Sequence, residues 1–489
     1  MNAALAIIIV VMLLAIGLGL RAAGGRDMNL EQWSIAGRSL GSILVFVLMA
    51  GEIYTTFTFL GASGYAYGHG APAFYILAYG CLAFIISYWM LPPVWRYAKQ
   101  HNLISQTDFF AAKYDSPALG TLVAIVSIIA LVPYLVLQLK GLGIIVETAS
   151  YGSIPSSWAV IIGAALVTTY VLVSGMHGSA WTAVIKDTLI LCVVLFLGIY
   201  LPLHYYGGHG AMFSAIEGAK PGFLAFPAKG ESVVWFDSTV LLTALGFFMW
   251  PHSFGCVYTA KSEKSFRKNA IMLPLYQLVL LFVFFVGFAA VLQVPGLSGG
   301  NIDLSLFRIS LKSFDPWVIG IIGAAGVLTA LVPGSVILLT AATLLANNLY
   351  RGINRRASEA HVGGIAKVMA VVVAVVAVIF TIGGGSAIVT LLLMGYSFVT
   401  QLFPSLIMSL RKRNPVTAAG AFAGIGVGVA TVAVITINHY TIGGLFPELP
   451  QWIKDLNIGI VALVLNVVAL IAVSVLTQPR TRTADAIGS

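Results

Sequence analysis

The sequence predicts an all-α, polytopic membrane protein with about 13 transmembrane helices. Hydrophobic residues make up 59% of its 489 residues, charged residues make up 9%, and the mean hydropathy is +0.97. Soluble domains carry about a quarter charged residues, so a water-soluble chain of this length could not cover its surface with so few. Apolar runs of about 20 residues recur along the whole chain, and each can cross a hydrocarbon core of ~30 Å.

The apolar runs divide the chain into an N-terminal pre-helix and core helices 1 to 12. The pre-helix is expected at 3–20, and the core helices, in order, at 41–67, 72–92, 117–147, 157–175, 179–201, 238–258, 270–293, 317–349, 363–383, 387–410, 415–437 and 457–476. No basic residue precedes the pre-helix, and no small-residue cleavage site follows it, so we expect it to be retained rather than removed as a signal peptide.

The distribution of basic residues predicts the orientation in the membrane. Of the 26 Lys and Arg residues, 20 lie in one set of alternate loops and tails, with Lys186 counted among them. By the positive-inside rule, the N-terminus is expected outside and the C-terminus in the cytoplasm, in the cell inner (plasma) membrane. The net charge of +9 therefore reflects topology and contact with the lipid bilayer, and no nucleic-acid partner is expected.

Two core helices are expected to be broken near the middle of the bilayer. Core helix 1 carries Gly51 and Glu52 in mid-span, and core helix 6, five helices later, carries Pro251. Proline removes a helical hydrogen bond and clashes with the preceding turn. Transporters often build a midplane solute site from two discontinuous helices in corresponding positions of two repeats. The spacing of these breaks therefore favours a transporter.

The polar residues near these breaks are the candidate site residues. A carboxylate at mid-bilayer costs roughly 2.5–3.5 kcal/mol, so Glu52 is interpreted as functional, the alternative being a protonated side chain bonded to a backbone carbonyl. His252 can titrate or donate to an anion, or can be a packed neutral imidazole. Neutral hydrogen bonds are offered by Tyr54, Thr55, Thr56 and Gln138, which can equally join neighbouring helices. Lys186 and Asp187 are most simply an interfacial pair.

Motifs of soluble enzymes are missing from the sequence. There is no metal-binding His pair at helical spacing, no GxxxxGK[ST] loop and no GxSxG elbow. Cys81, Cys192 and Cys256 lie in apolar segments without metal-ligand spacing. We therefore expect no enzyme activity, no bound metal and no cofactor.

Four segments in order resemble the sodium/solute symporter family over nearly the full chain. They are 102–114 between core helices 2 and 3, 174–182 between core helices 4 and 5, Pro251-His252 in core helix 6, and 414–421 at the start of core helix 11. The resemblance implies alternating access and an inverted repeat of 41–201 and 238–410, joined by an external loop at 202–237. Segment 1–40 precedes this core, and 411–489 supplies two extra helices and a short cytoplasmic tail.

Within that family, the sequence looks like the bacterial monocarboxylate permeases. The stretches that carry the likeness are 51–55, 132–134 with Gln138, and 330–333. This implies a small organic anion of the pyruvate, lactate, acetate or propionate type. Amides freed at the helix breaks suit a carboxylate. Trp250, Tyr54 and Tyr134 are expected to enclose the small apolar tail.

The sequence departs from the family where sodium-coupled members bind their ion. Two adjacent hydroxyl residues of core helix 8 are here Val332 and Pro333, and an Asp of core helix 5 is here Ala183. Sodium is a hard cation that requires oxygen ligands, so we expect proton coupling instead. Glu52 would carry the proton, and Lys186 would place an ammonium near the vacated ion position. The alternatives are a sodium-coupled symporter of another small organic solute, and a non-transporting sensor or channel on the same scaffold.

Overall fold

A computed structural model describes residues 2–354 and 356–478 of the chain. Ten helices in this part are long and apolar enough to cross a membrane, or 11 if one bent pair forms a single span. They are Ala3–Ala23, Ala71–Gln100, Pro117–Ala149, Ser156–Tyr206, Lys264–Gln293, Pro316–Ile353, Glu359–Gly383, Ile388–Ser409, Ala418–Ile437 and Ile458–Thr477, and the pair is Val233–Met249 with Pro251–Tyr258. Arg355 and the tail 479–489, both expected on the cytoplasmic side, lie outside the described residues.

Two regions account for the difference between these 11 spans and the expected total of about 13. Core helices 4 and 5 lie in one helical range, Ser156–Tyr206, but they are two helices that meet at Gly175, where the backbone leaves the helical region with φ 49° and ψ −148°. A Cβ there would lie 2.6 Å from the carbonyl oxygen of Trp33, so glycine is required. Core helix 1 consists of three short pieces, Ser42–Gly51, a π-helical Phe57–Gly61 and Ala62–His69. The number 13 stays a prediction.

Core helix 8 lies at the centre of the bundle. The apolar window of Pro316–Ile353 is 94% buried, whereas those of the pre-helix and core helix 9 are each 28% buried. Core helix 8 packs against the pre-helix and core helices 3, 4 and 5. Apolar side chains that point outward, such as Leu13, Val375 and Val468, are suited to contact lipid. The outer helices therefore shield a central group that includes both broken helices.

Backbone hydrogen bonds hold the two broken helices side by side at one end of the bundle. The amide of Leu40, just before core helix 1, donates to the carbonyl of Thr259 at 3.0 Å, and the amide of Lys261 donates to the Leu40 carbonyl at 3.0 Å. The Trp95 indole donates to the carbonyl of Ala260 at 2.9 Å. These bonds fix how the two helices approach each other.

A short helix, Gln106–Tyr114, joins core helices 2 and 3 at the same end of the bundle and is called the linker helix below. Ser105 and Asp108 form a reciprocal capping box at its start. The Asp108 carboxylate also accepts a 2.6 Å hydrogen bond from Asn348 on core helix 8. Burial raises the pKa of the Asp108 carboxyl, and the hydrogen bonds from Ser105 and Asn348 oppose this rise. The linker helix is thus fastened to core helix 8.

Candidate functional site

The break in core helix 1 surrounds a buried ammonium group. Helix Ser42–Gly51 ends, and the chain is non-helical over 52–55. The freed carbonyls of Gly51 and Tyr54 each accept a 2.9 Å hydrogen bond from Nζ of Lys186. The Lys186 side chain is fully buried, and its Nζ lies 2.9 Å from Oδ1 of Asp187. The Lys186–Asp187 pair is present, but it is buried in the bundle rather than interfacial, because the carbonyls freed by the break bind the ammonium there.

The break in core helix 6 lies at a single extended residue. Trp250, with φ −64° and ψ 128°, separates the 3₁₀ turn Phe247–Met249 from helix Pro251–Tyr258. The two halves of the helix are bent by 49°. Proline at the first position of a helix lacks only an amide that would be unpaired there, so Pro251 starts the second half without strain. The two breaks expected from Glu52 and Pro251 are both present.

A carboxylate–imidazole pair connects the two breaks. Nε2 of His252 lies 2.6 Å from Oε2 of Glu52, and both side chains are almost completely buried. A ring nitrogen and a carboxylate oxygen at this separation require a proton between them. The partner of Glu52 is therefore the His252 ring rather than a backbone carbonyl. The Cys256 thiol lies 3.8 Å from the other carboxylate oxygen.

Aromatic rings enclose this pair. The ring of Tyr134 lies 4.8 Å from Trp250 and 5.1 Å from His252, measured between ring centroids. Tyr396 of core helix 10 packs edge-on against Trp250 at 5.4 Å, and Tyr79 of core helix 2 packs against Tyr396 at 5.6 Å. Sequence reasoning missed Tyr79 and Tyr396, because a lone tyrosine in an apolar span resembles one at the lipid interface.

Several buried polar atoms around the breaks have no hydrogen-bond partner in the described part of the chain. Among them are Oγ1 of Thr56, Nε2 of Gln138 and Nδ1 of His252. The Gln138 side chain is oriented by its carbonyl oxygen, which accepts the Thr56 amide at 3.3 Å. Buried polar groups are normally paired, so such atoms require an explanation. Gln138 lies one helical turn from Tyr134, so the two side chains face the same side of core helix 3.

The ring of one candidate residue, Tyr54, points away from this cluster. The Tyr54 hydroxyl donates to the carbonyl of Tyr276 on core helix 7 at 3.1 Å, and the two rings pack edge-on at 5.0 Å. The Thr55 hydroxyl accepts the amide of Phe57 at 3.2 Å and so caps the second half of core helix 1. Tyr54 contributes its backbone carbonyl to the Lys186 contact, while its ring joins core helices 1 and 7.

The residues at the expected sodium position offer few free oxygens. Val332 and Pro333 are buried in an unbroken stretch of core helix 8. Ser335 donates to the Val332 carbonyl at 2.6 Å, and its hydroxyl lies 2.7 Å from that of Ser179. A Cβ at Gly51 would lie 4.0 Å from the Ala183 methyl group and 3.2 Å from Nζ of Lys186. The ammonium therefore occupies the neighbourhood of Ala183.

A helical membrane protein in which two broken helices meet at a buried polar cluster has the construction of a secondary transporter. The model of the Sodium:solute symporter family matches residues 33–428, and the chain belongs to this family. An uncharacterized symporter, YhjB, of Bacillus subtilis (strain 168) is 64% identical over 478 residues, covering 98% of each chain. A monocarboxylate transport permease protein of Rhizobium johnstonii is 29% identical over 421 residues, covering 83% of this chain and 82% of the relative.

The fold is shared with solved transporters. A Na⁺-coupled sialic acid symporter, solved in a substrate-bound outward-open state, superimposes with a TM-score of 0.81 at 16% identity, covering 98% of each chain. At this identity the likeness establishes the fold alone. The protein is a multi-pass membrane transporter and not an enzyme.

Proposed function

We propose that this symporter imports a small monocarboxylate together with a proton. The observation that supports coupling to a proton is the position of the Lys186 ammonium at the break in core helix 1. A bound sodium ion would need oxygen ligands, and here the two freed carbonyls already bind a positive charge that belongs to the protein. With Ala183, Val332 and Pro333 supplying no side-chain oxygen, a second cation at this position would meet both repulsion and a shortage of ligands.

The Glu52–His252 pair suits a proton that travels with an anion. With the proton of Nε2 directed at Glu52, a neutral His252 ring offers Nδ1 as an acceptor, whereas an imidazolium offers it as a donor. A carboxylate solute needs a donor. Protonation of the pair from outside would therefore favour solute binding, and its loss on the inside would favour release.

The side chains around the two helix breaks suit a small organic anion. Thr56, Gln138 and His252 provide buried polar atoms that have no partner among the residues the structure describes, and Tyr134 and Trp250 enclose them. A short acid has one carboxylate for such donors and a small apolar tail for the rings. The Rhizobium relative, whose name states monocarboxylate transport, supports the same substrate class. The alternative is a sodium-coupled symporter of another organic solute. The observation on its side is the sodium coupling stated for the sialic acid symporter.

The proposal is tested by uptake into proteoliposomes with sodium and pH gradients imposed independently. Labelled pyruvate or lactate should accumulate under an inward proton gradient without sodium. Acetate and propionate should compete with it, whereas proline, glucose and sialic acid should not. Uptake that requires sodium and ignores the pH gradient would refute proton coupling, and competition by proline or a sugar alone would refute the monocarboxylate assignment.

The proposed orientation has the N-terminus outside and the C-terminus in the cytoplasm, with the linker helix on the cytoplasmic side of the inner membrane. Removing the buried Lys186 from the cytoplasmic set leaves the excess of basic residues on that side large. The repeats are proposed at 41–201 and 238–410. Cysteines introduced at the exposed positions Arg21 and Lys261 should resist a membrane-impermeant reagent in intact cells, and ready labelling of either would contradict this topology.

A further inference from the structure

The break in core helix 6 frees the carbonyl of Met249. In a continuous helix this carbonyl would accept the Ser253 amide, but that amide donates to Trp250 at 3.1 Å. Backbone groups inside a bilayer must find partners within the protein. The partner is the Gln106 side chain, whose Nε2 donates to the Met249 carbonyl at 2.8 Å. Gln106 is fully buried, although it is the first residue of the linker helix.

We infer that Gln106 is a positioning residue for the solute site and also the contact that keeps the site closed toward the linker-helix side. Met249 immediately precedes Trp250 and lies three residues before His252, so a bond that fixes its carbonyl also fixes those two side chains. The Ser127 hydroxyl donates to Oε1 of Gln106 at 3.3 Å. This contact orients the amide so that its NH₂ group faces Met249.

The residues around Gln106 outline a closed passage. A cavity of about 10 Å³ lies between the linker helix, core helix 6 and core helix 8, and is lined in part by Gln106, Pro251, Gly255, Thr340 and Thr343. This volume holds roughly one water molecule, so no organic acid can pass. In this inference the cavity is the closed part of a passage between the second half of core helix 6 and the linker helix. For it to widen, the linker helix and core helix 6 must separate, which breaks the Gln106–Met249 bond.

The hydrogen bond between Gln106 and Met249 is easier to replace by water than the nearby bond between Asp108 and Asn348. Asp108 fastens the same linker helix to Asn348 by a charged hydrogen bond, which is stronger than a neutral one. Gln106 makes a neutral amide–carbonyl bond, and water entering an opening passage can replace it. The linker helix can therefore remain attached to core helix 8 while core helix 6 moves away. This inference rests on transport, which family membership establishes, and not on the identity of the solute or the coupling ion.

The test uses Thr343→Cys as a reporter of access in purified protein reconstituted with the linker-helix side outward. Cys81 and Cys192 are replaced by Ser, and each variant is also measured without the reporter, which subtracts any labelling of the buried Cys256. Gln106→Leu removes the donor at similar volume. A small charged thiol reagent should label the reporter about fivefold faster in this variant, the population shift expected for one lost hydrogen bond. The KM for solute should also rise.

Gln277→Leu is the matched control. Gln277 is a buried glutamine on core helix 7 whose amide donates to the carbonyl of Ile76 at 3.4 Å, away from the passage. It should leave the labelling rate unchanged. An unchanged rate in folded Gln106→Leu protein, or an equal rise in the control, would overturn the inference. If Gln106→Leu fails to fold, Ser127→Ala replaces it as the test. This variant removes the hydrogen bond that orients the Gln106 amide, so the labelling rate should rise by less than in Gln106→Leu. An unchanged labelling rate would overturn the inference.

Discussion

The two broken helices satisfy their freed backbone groups in different ways. In core helix 1, the carbonyls of Gly51 and Tyr54 bind a charged group, the Lys186 ammonium from core helix 5. In core helix 6, the carbonyl of Met249 binds a neutral group, the Gln106 amide from the linker helix. The first donor lies within the bundle and has Asp187 beside it, whereas the second comes from outside the spans.

Because of this difference, we expect the break in core helix 1 to keep a fixed geometry and the break in core helix 6 to move during transport. A buried ammonium that loses its carbonyls and its counterion is costly, so Lys186 favours a fixed geometry at core helix 1. A neutral hydrogen bond has a net strength of about 1 kcal/mol and can be exchanged for water, so Gln106 permits movement at core helix 6. Glu52 and His252 connect the fixed break to the movable one.

Replacing the ammonium should abolish transport. Lys186→Met leaves the Gly51 and Tyr54 carbonyls unpaired and Asp187 without its counterion, which destabilises by ~3–5 kcal/mol. We expect a strongly lowered melting temperature and uptake reduced at least about 100-fold. The double variant Lys186→Met/Asp187→Asn removes the unpaired charge, so its melting temperature should recover while its uptake should not. Near-normal uptake in either variant would show that the ammonium has no part in coupling.

Neutralising the carboxylate should separate coupling from movement. Glu52→Gln keeps the shape and the hydrogen bonding of the side chain but cannot titrate with His252. Accumulation driven by a pH gradient should be lost, while exchange of labelled for unlabelled solute should stay within about threefold of wild type, since the Gln106–Met249 contact is unchanged. Counterflow and gradient-driven uptake in the same proteoliposomes measure the two rates. Loss of both would make Glu52 structural, and retention of both would exclude it as the proton carrier.

The sequence predicted both breaks and most of the residues around them, but not how they pair. Gly51 with Glu52, and Pro251, are local signals that a helix cannot continue. The contact of Glu52 with His252 depends on how two helices 200 residues apart cross, which is not encoded in either segment. For the same reason the sequence left two positions open for Lys186, an interfacial pair with Asp187 or the neighbourhood of Ala183, since its partners are backbone carbonyls that only a break in another helix makes available. Gln106 carried no signal because a polar residue in a linker is ordinarily exposed.

Crowding the Trp250 and Tyr134 rings should weaken solute binding without affecting the coupling of transport to protons. A Cβ at Gly395 would lie 2.4 Å from the far edge of the Trp250 ring, so Gly395→Ala must displace that ring into the space that Tyr134 borders. Overpacking costs ~1–3 kcal/mol, and we expect the KM to rise about tenfold with the proton dependence intact. Gly334→Ala is the control, because its Cβ would meet Gln138 at an ordinary 3.8 Å. An unchanged KM in Gly395→Ala would mean that Trp250 does not contact the solute.

The Thr56 hydroxyl is a single hydrogen-bond donor beside the break in core helix 1. Thr56→Val replaces a hydroxyl that has no partner within residues 2–354 and 356–478 by a methyl group of similar size, and the methyl already packed against Gly141 is kept. If the hydroxyl binds the carboxylate, one hydrogen bond of about 1 kcal/mol is lost, so the KM should rise about fivefold at unchanged maximal rate. Thr168→Val is the matched control, since that buried hydroxyl donates to the carbonyl of Ala164 in its own helix. Because an unsatisfied buried hydroxyl costs free energy, Thr56→Val should also raise the melting temperature in the absence of solute. A lower melting temperature with an unchanged KM would show that Thr56 serves only the packing of core helices 1 and 3.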